Sequence, residues 1–302
     1  MFLQPYQRDE LRFAYCYRAY LRWSTHRGAA CPPLASLDQT LLSSIASRYE
    51  IRVLESASDA RDLLTLVSLK PVETISACAS KLKGQVSKWL HKALRLEQPA
   101  DLLSRGYFAC TVGQSTSDAV EQYLSLQGEH HGYAGRVLPP VFVEKFNLSD
   151  ADEDRVNARH AAVVAQFHLV MATGNRRGVF GSAEGRAVTA EWRKLQTTRR
   201  MAVIKVSFVP DHVHIALRAH PAESPADLAV ALMNTAQQVM SRQLIAAELD
   251  RLWQPSAYIG SYGDLASPQI RKYIQNWAGD RVATSVKLHG TSPWHLEFSG
   301  DE

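Results

Sequence analysis

The stretch VSFVPDHVHIAL, residues 206–217, decides how the rest of the chain is read. It reads as a β-strand, and it carries two histidines, His212 and His214, one residue apart. Side chains at i and i+2 of a strand point to the same face, so both imidazoles converge on one spot. Two imidazoles on one strand face invite a search for whatever completes a site.

Working outward, the chain aligns with itself at an offset of 150. FHLVMATGNRRG (167–178) falls under YRAYLRWSTHRG (17–28), and HVHIALRAHPAES (212–224) falls under DLLTLVSLKPVET (62–74). YIGSYGDLASPQIRKYIQNW (258–277) falls under FACTVGQSTSDAVEQYLSLQ (108–127), and no gap is needed from 62 to 127. Nine identities in those 66 pairs, among them Pro71/Pro221, Gly113/Gly263, Ser117/Ser267 and Tyr123/Tyr273, are only modestly above chance. The order of elements says more. Each half predicts a strand, a second strand at the HVH position, a long amphipathic helix, a short strand with a glycine, and a helix bearing a tyrosine. The chain therefore reads as a fused pseudo-dimer of α+β units, each an antiparallel sheet flanked by helices. The predicted bounds are a first unit at 1–140, a linker at 141–160 around Pro139-Pro140 and the acidic run Asp150 to Asp154, and a second unit at 161–302.

Composition limits the class. The 302 residues are 46% hydrophobic and 21% charged, as in an ordinary globular protein of about two domains. No run approaches the roughly 20 apolar residues of a membrane span, and MFLQPYQRDELRF lacks the pattern of an export signal. The cysteines, Cys16, Cys31, Cys78 and Cys110, form no CxxC pair, which argues against a zinc knuckle and fits a reducing cytoplasm. A net charge of +4 permits a nucleic-acid partner without establishing one.

PDHVHIAL followed by YIGSYGDLASPQIRKYI resembles the single-tyrosine HUH transposases, and GYFACTVGQSTSDAVEQYLSLQGEHHGY (106–133) is similar to the tyrosine helix of the same family. Within it, the REP-associated tyrosine transposases look most alike. The resemblance implies two tandem HUH-type (ferredoxin-like) domains and cleavage of single-stranded, hairpin-forming DNA through a 5′-phosphotyrosine intermediate. It also implies Mg²⁺ or Mn²⁺ held by the two histidines and by a glutamine four residues after the tyrosine.

The departures from the family pattern are unequal in the two halves. The first keeps Tyr123 and Gln127 but has Asp62 and Leu64 at the histidine positions; the second keeps His212, His214 and Tyr273 but has Trp277 at the glutamine position. One full set survives only across the halves. The expected site is thus composite, with Tyr123 as nucleophile and His212, His214 and Gln127 on the metal. The other site (Asp62, Leu64, Tyr273, Trp277) is degenerate, and Tyr273 stays open as a relic or as a nucleophile acting in cis. Tyr123 and Gln127, at i and i+4, share a helix face. A phenol with a pKa of about 10 needs a nearby cation to ionise near neutrality.

DNA-contact candidates are Lys81, Lys83, Lys88 and Lys92 on the first long helix, with Arg176 and Arg177 in the second half. The expected protein is a monomer acting as an intramolecular pseudo-dimer, cytoplasmic and nucleoid-associated. The alternative is a domesticated hairpin-binding protein that no longer cuts.

Overall fold

The computed structural model describes residues 5–98, 100–125, 140–243 and 251–277. The first repeat runs β1 (Arg12–Cys16), β2 (Arg18–Ser24), α1 (Gln39–Ser47), β3 (Arg52–Ser58), β4 (Asp62–Ser68), α2 (Ile75–Ala93), β5 (Tyr107–Val112) and α3 (Ser117–Ser125). Next come β6 (Phe142–Lys145) and α4 (Asp150–Val156). The second repeat is β7 (Ala161–Thr173), α5 (Ser182–Leu195), β8 (Met201–Val209), β9 (His212–Ala219), α6 (Pro225–Gln243), β10 (Trp253–Tyr262) and α7 (Ser267–Trp277). Strands β5-β2-β4-β3 and β10-β7-β9-β8 are antiparallel neighbours in those orders, the ferredoxin-like arrangement of a βαββαβ unit. The class is α+β. Among the described residues no helix is long and apolar enough to cross a membrane.

Alternation along the strands separates two faces. Leu63 and Val67 of β4, and Val213, Ile215 and Leu217 of β9, join the main core with residues of α2, α5 and α6. Leu64 and Leu66 face the other way, onto Ile270 and Ile274 of α7, and Ala216 faces Leu124 of α3. The two tyrosine helices therefore cover the face opposite the long helices, and each has crossed over. Helix α3 packs on β8 and β9 of the second repeat, and α7 packs on β3 and β4 of the first. Ile270 and Ile274, one turn apart and fully buried, each contribute about 1.5–3 kcal/mol to this docking.

The crossing is reciprocal. Ser117 N–H donates to Gly263 O and Ser267 N–H to Gly113 O, both at 2.8 Å; Ser76 N–H donates to Pro221 O and Ala226 N–H to Pro71 O, both at 3.0 Å. Such paired contacts mark a two-fold, self-complementary interface, here built within one chain. Parallel pairing of β5 with β7 and of β1 with β10 merges both sheets into one. The backbones meet so closely that a Cβ on Gly113 would lie 2.6 Å from Ser261 O, and one on Gly263 would overlap Thr111 O.

Two expectations need correction. Residues 141–160 are no linker: β6 pairs with β8, and α4 packs on β8. Asp150, Asp152 and Glu153 occupy the first turn of α4, where they suit the helix dipole, and Ser149 and Asp152 form a capping box while Phe142 and Val156 are buried. The offset of 150 also fails in one strand. Tyr20 pairs with Leu66 and with Cys110, as His168 pairs with Ala216 and with Gly260, so β2 corresponds to β7 at 148. The turns that follow agree, with φ of 52° at Arg27 and 54° at Asn175.

Candidate active site

Strand β9 points His212, His214 and Ala216 toward α3. The Asp211 carboxylate lies 2.6 Å from His212 Nδ1 and is itself paired with Arg176 at 3.2 Å. His214 Nδ1 lies 3.0 Å from Nε2 of His168, a residue of β7 whose ring stacks on His214 with centroids 5.2 Å apart. Burial lowers the His168 pKa to about 4, so that ring is neutral. The two HVH rings are 5.0 Å apart.

Tyr123 of α3 reaches this spot from the other repeat. Its ring is 5.7 Å from that of His214 and 6.1 Å from that of His168. The helix is fixed at its first residue and at its middle. Ser117 Oγ bonds Gln166 Oε1 at 3.1 Å, Lys205 Nζ donates to Glu121 O at 2.9 Å, and Lys145 pairs with the Glu121 carboxylate at 2.5 Å. Val120, Tyr123 and Ile204 pack around Leu124, Ala216 and Tyr262. Burial raises the Tyr123 pKa, which keeps the phenol neutral. Tyr258 of β10 also borders the site, 6.1 Å from His168, its ring lying over Gly260.

The corresponding place in the first repeat is filled differently. Tyr273 lies 6.3 Å from Tyr20 and 5.7 Å from Trp277, away from the histidines. Asp62 accepts from Ser24 Oγ at 2.7 Å and from Arg22 Nε at 3.2 Å, and the Arg22 guanidinium sits 5.2 Å from the Trp277 ring centre. Leu64 is fully buried among Tyr20, Ile270 and Ile274. An ion pair, a cation–π contact and apolar packing occupy what is a histidine site in the other repeat.

Two imidazoles anchored through Nδ1 suit coordination of a cation through Nε2, so this donor set fits a divalent ion. Among the described residues no three His, Cys, Asp or Glu side chains form a metal-binding group, and Gln127 lies outside the described residues. Of the DNA-contact candidates, Arg176 and Arg177 are exposed on the turn beside Asp211 and His212. The lysines of α2 lie on the opposite face of the sheet. There Lys81 pairs with Glu73 at 2.7 Å and Lys83 donates to Ser104 O at 2.5 Å, while Lys88 and Lys92 are exposed. The sequence reading missed His168, Tyr258 and Lys205. Aligning the turns at 148 rather than 150 would have set His168 opposite Tyr20 and marked it as a change specific to the histidine-bearing repeat.

Fold and site together define a tandem HUH-type protein whose tyrosine helices are exchanged between repeats. The family model described as transposase IS200-like matches residues 34–127 and 162–277, more than half of the chain, and the protein belongs to that family. None of the curated proteins matches the chain. A candidate transposase of known structure from Deinococcus radiodurans is 24% identical over 40% of this chain and 95% of its own, with a TM-score of 0.33. A candidate glycine cleavage system transcriptional repressor is 9% identical over 82% of this chain and 98% of its own, with a TM-score of 0.17.

Proposed function

We propose that this transposase-family protein cuts and rejoins single-stranded DNA at hairpin-forming repeats, using one composite active site built by both repeats. The observation that carries the reading is the approach of Tyr123, from the first repeat, to His214 and His168 of the second. His212 and His214, with Gln127, would hold Mg²⁺ or Mn²⁺, which when bound supplies Lewis acidity toward phosphoryl oxygens. Tyr123 Oη attacks the scissile phosphorus as the phenol gives up its proton. The new Tyr–O–P bond forms while the P–O3′ bond breaks, and the leaving 3′ oxygen takes a proton. The 5′-phosphotyrosine stores the phosphodiester energy, so a second 3′-hydroxyl can reverse the step without a nucleotide cofactor. Arg176 and Arg177, on the rim beside His212, are the phosphate contacts that suit a strand entering here.

The test is a denaturing-gel assay with labelled hairpin DNA from repeats of the source genome and Mn²⁺ or Mg²⁺. A covalent adduct that survives Tyr273→Phe and Tyr258→Phe but is lost in Tyr123→Phe and His212→Ala is the expected result. An adduct that depends on Tyr273 would overturn the composite site. Tight hairpin binding without any adduct would favour a non-cutting DNA-binding protein.

A further inference from the structure

We propose that His168 is a positioning residue for the cation site: its Nε2 accepts from Nδ1–H of His214 and so turns that ring to coordinate through Nε2. The inference rests on the reading of His212 and His214 as metal ligands.

Three observations carry it. The contact is direct, with His168 Nε2 3.0 Å from His214 Nδ1 and the rings stacked at an interplanar angle of 17°. It has a counterpart, because the Asp211 carboxylate holds Nδ1 of His212 at 2.6 Å. Each HVH ring is thus gripped on the same nitrogen by a different partner, Asp211 at the strand end and His168 on the neighbouring strand. Finally, the residue goes with the metal pair. The position equivalent to His168 is Tyr20, in the repeat that has Asp62 and Leu64 instead of histidines, and Tyr20 packs on Tyr273.

The chemistry follows from the two imidazole nitrogens. A neutral histidine carries one proton, on either Nδ1 or Nε2, and a cation needs the nitrogen that lacks it. An acceptor fixed at Nδ1 selects the Nδ1–H form of His214. His168 can serve as that acceptor only in its own Nδ1–H form, which completes a defined chain of two neutral rings. Partners that hold ligand histidines in this way are typically worth about 10- to 100-fold in metal affinity.

The experiment measures Mn²⁺ binding to the full chain by calorimetry and by electron paramagnetic resonance, without DNA. His168→Phe keeps a ring of similar shape but no acceptor; His168→Gln keeps an amide oxygen that can accept. We expect the Phe variant to bind Mn²⁺ about 10-fold or more weakly and the Gln variant to recover most of the loss. Nitrogen-15 imidazole spectra of the metal-free protein give a second readout: His214 should be the Nδ1–H tautomer in the wild type and a mixture in His168→Phe. Unchanged Mn²⁺ affinity in His168→Phe, or a Gln variant as weak as Phe, overturns the proposal. If His212→Ala and His214→Ala both bind Mn²⁺ like the wild type, the metal-site reading itself fails. Should His168→Phe not fold, the Gln variant and the wild-type tautomer still decide, because an Nε2–H form of His214 in the wild type is incompatible with the proposed role.

Discussion

Gly113→Ala tests whether the closeness of the two backbones, and nothing about glycine's flexibility, demands glycine at the crossing. The residue has an ordinary φ, so alanine meets no conformational penalty there. A Cβ, however, would stand 2.6 Å from Ser261 O, 2.8 Å from Ser115 O and 3.0 Å from Tyr262 Cα, all backbone atoms. Restoring a contact of about 3.4 Å requires the crossing to open by roughly 0.6–0.8 Å, and overpacking of this kind costs about 1–3 kcal/mol. Gly113 O also accepts from Ser267 N at 2.8 Å and from Ser267 Oγ at 2.9 Å, each hydrogen bond being worth about 1 kcal/mol. The expected loss is about 2–4 kcal/mol, which for a chain of this size lowers Tm by roughly 3–6 °C. Gly84→Ala is the control. Gly84 lies in α2 with nothing within 4 Å of its Cβ position, so alanine there should stabilise by about 0.5–1 kcal/mol. Urea denaturation and thermal melts measure both. A Gly113→Ala protein melting within 1 °C of wild type, by the scale of that estimate, would refute the packing argument.

Lys205→Met removes the ammonium that holds Glu121 O from across the repeat boundary, so adduct formation should fall about 10- to 100-fold, with a smaller loss of stability than in Gly113→Ala. Single-turnover gels and melts on the same preparation check this. Tyr17→Phe should be neutral or stabilise by up to about 1 kcal/mol, because the buried Tyr17 hydroxyl has no hydrogen-bond partner among the described residues. The same variant should flatten the alkaline limb of stability. Burial raises the Tyr17 pKa, so the folded state keeps a proton that the unfolded chain releases above about pH 10, and stability falls as pH rises past that point. Burial raises the Cys110 thiol pKa to about 12 and raises that of Cys78 too, so both should resist disulfide reagents at pH 8 in the native protein and react on unfolding.

The repeat was legible because it rests on short-range pattern: strand alternation, amphipathic helices, and Gly113/Gly263 and Ser117/Ser267 at an exact offset. Each of those four residues takes part in the reciprocal crossing. The sequence also pointed to the nearness of Tyr123 and His214, because the first half has the tyrosine helix without the histidine pair. His168 was not legible by that route. A lone histidine in an apolar strand carries no signal until the neighbouring strand is known, and a two-residue shift sets it against Arg18 instead of Tyr20. Helix α4 was misread for a different reason: its acidic composition looks like solvent-exposed loop, whereas a capping box and two buried side chains, Phe142 and Val156, fasten the segment to β8.

The first repeat has packed side chains and an ion pair where the second has its histidines, and these oppose any attempt to build a second histidine pair. Asp62→His with Leu64→His would put two histidines on β4, yet Tyr20 would still stand at the position equivalent to His168, and Trp277 at the position that aligns in sequence with Gln127. The new rings would have no acceptor to orient them. Arg22 would lose its carboxylate partner while remaining against the Trp277 ring. A guanidinium left beside two imidazoles repels a divalent cation, and a histidine at 64 must fit where Leu64 is fully buried. With the proposed site of the second repeat as the one place that takes the ion, the double variant should gain no second Mn²⁺ per chain and should be less stable than the wild type. Titration by calorimetry gives the stoichiometry directly. Two sites of similar affinity in the double variant would mean that the histidine pair suffices, and that neither Tyr20, Arg22 nor Trp277 stands in the way.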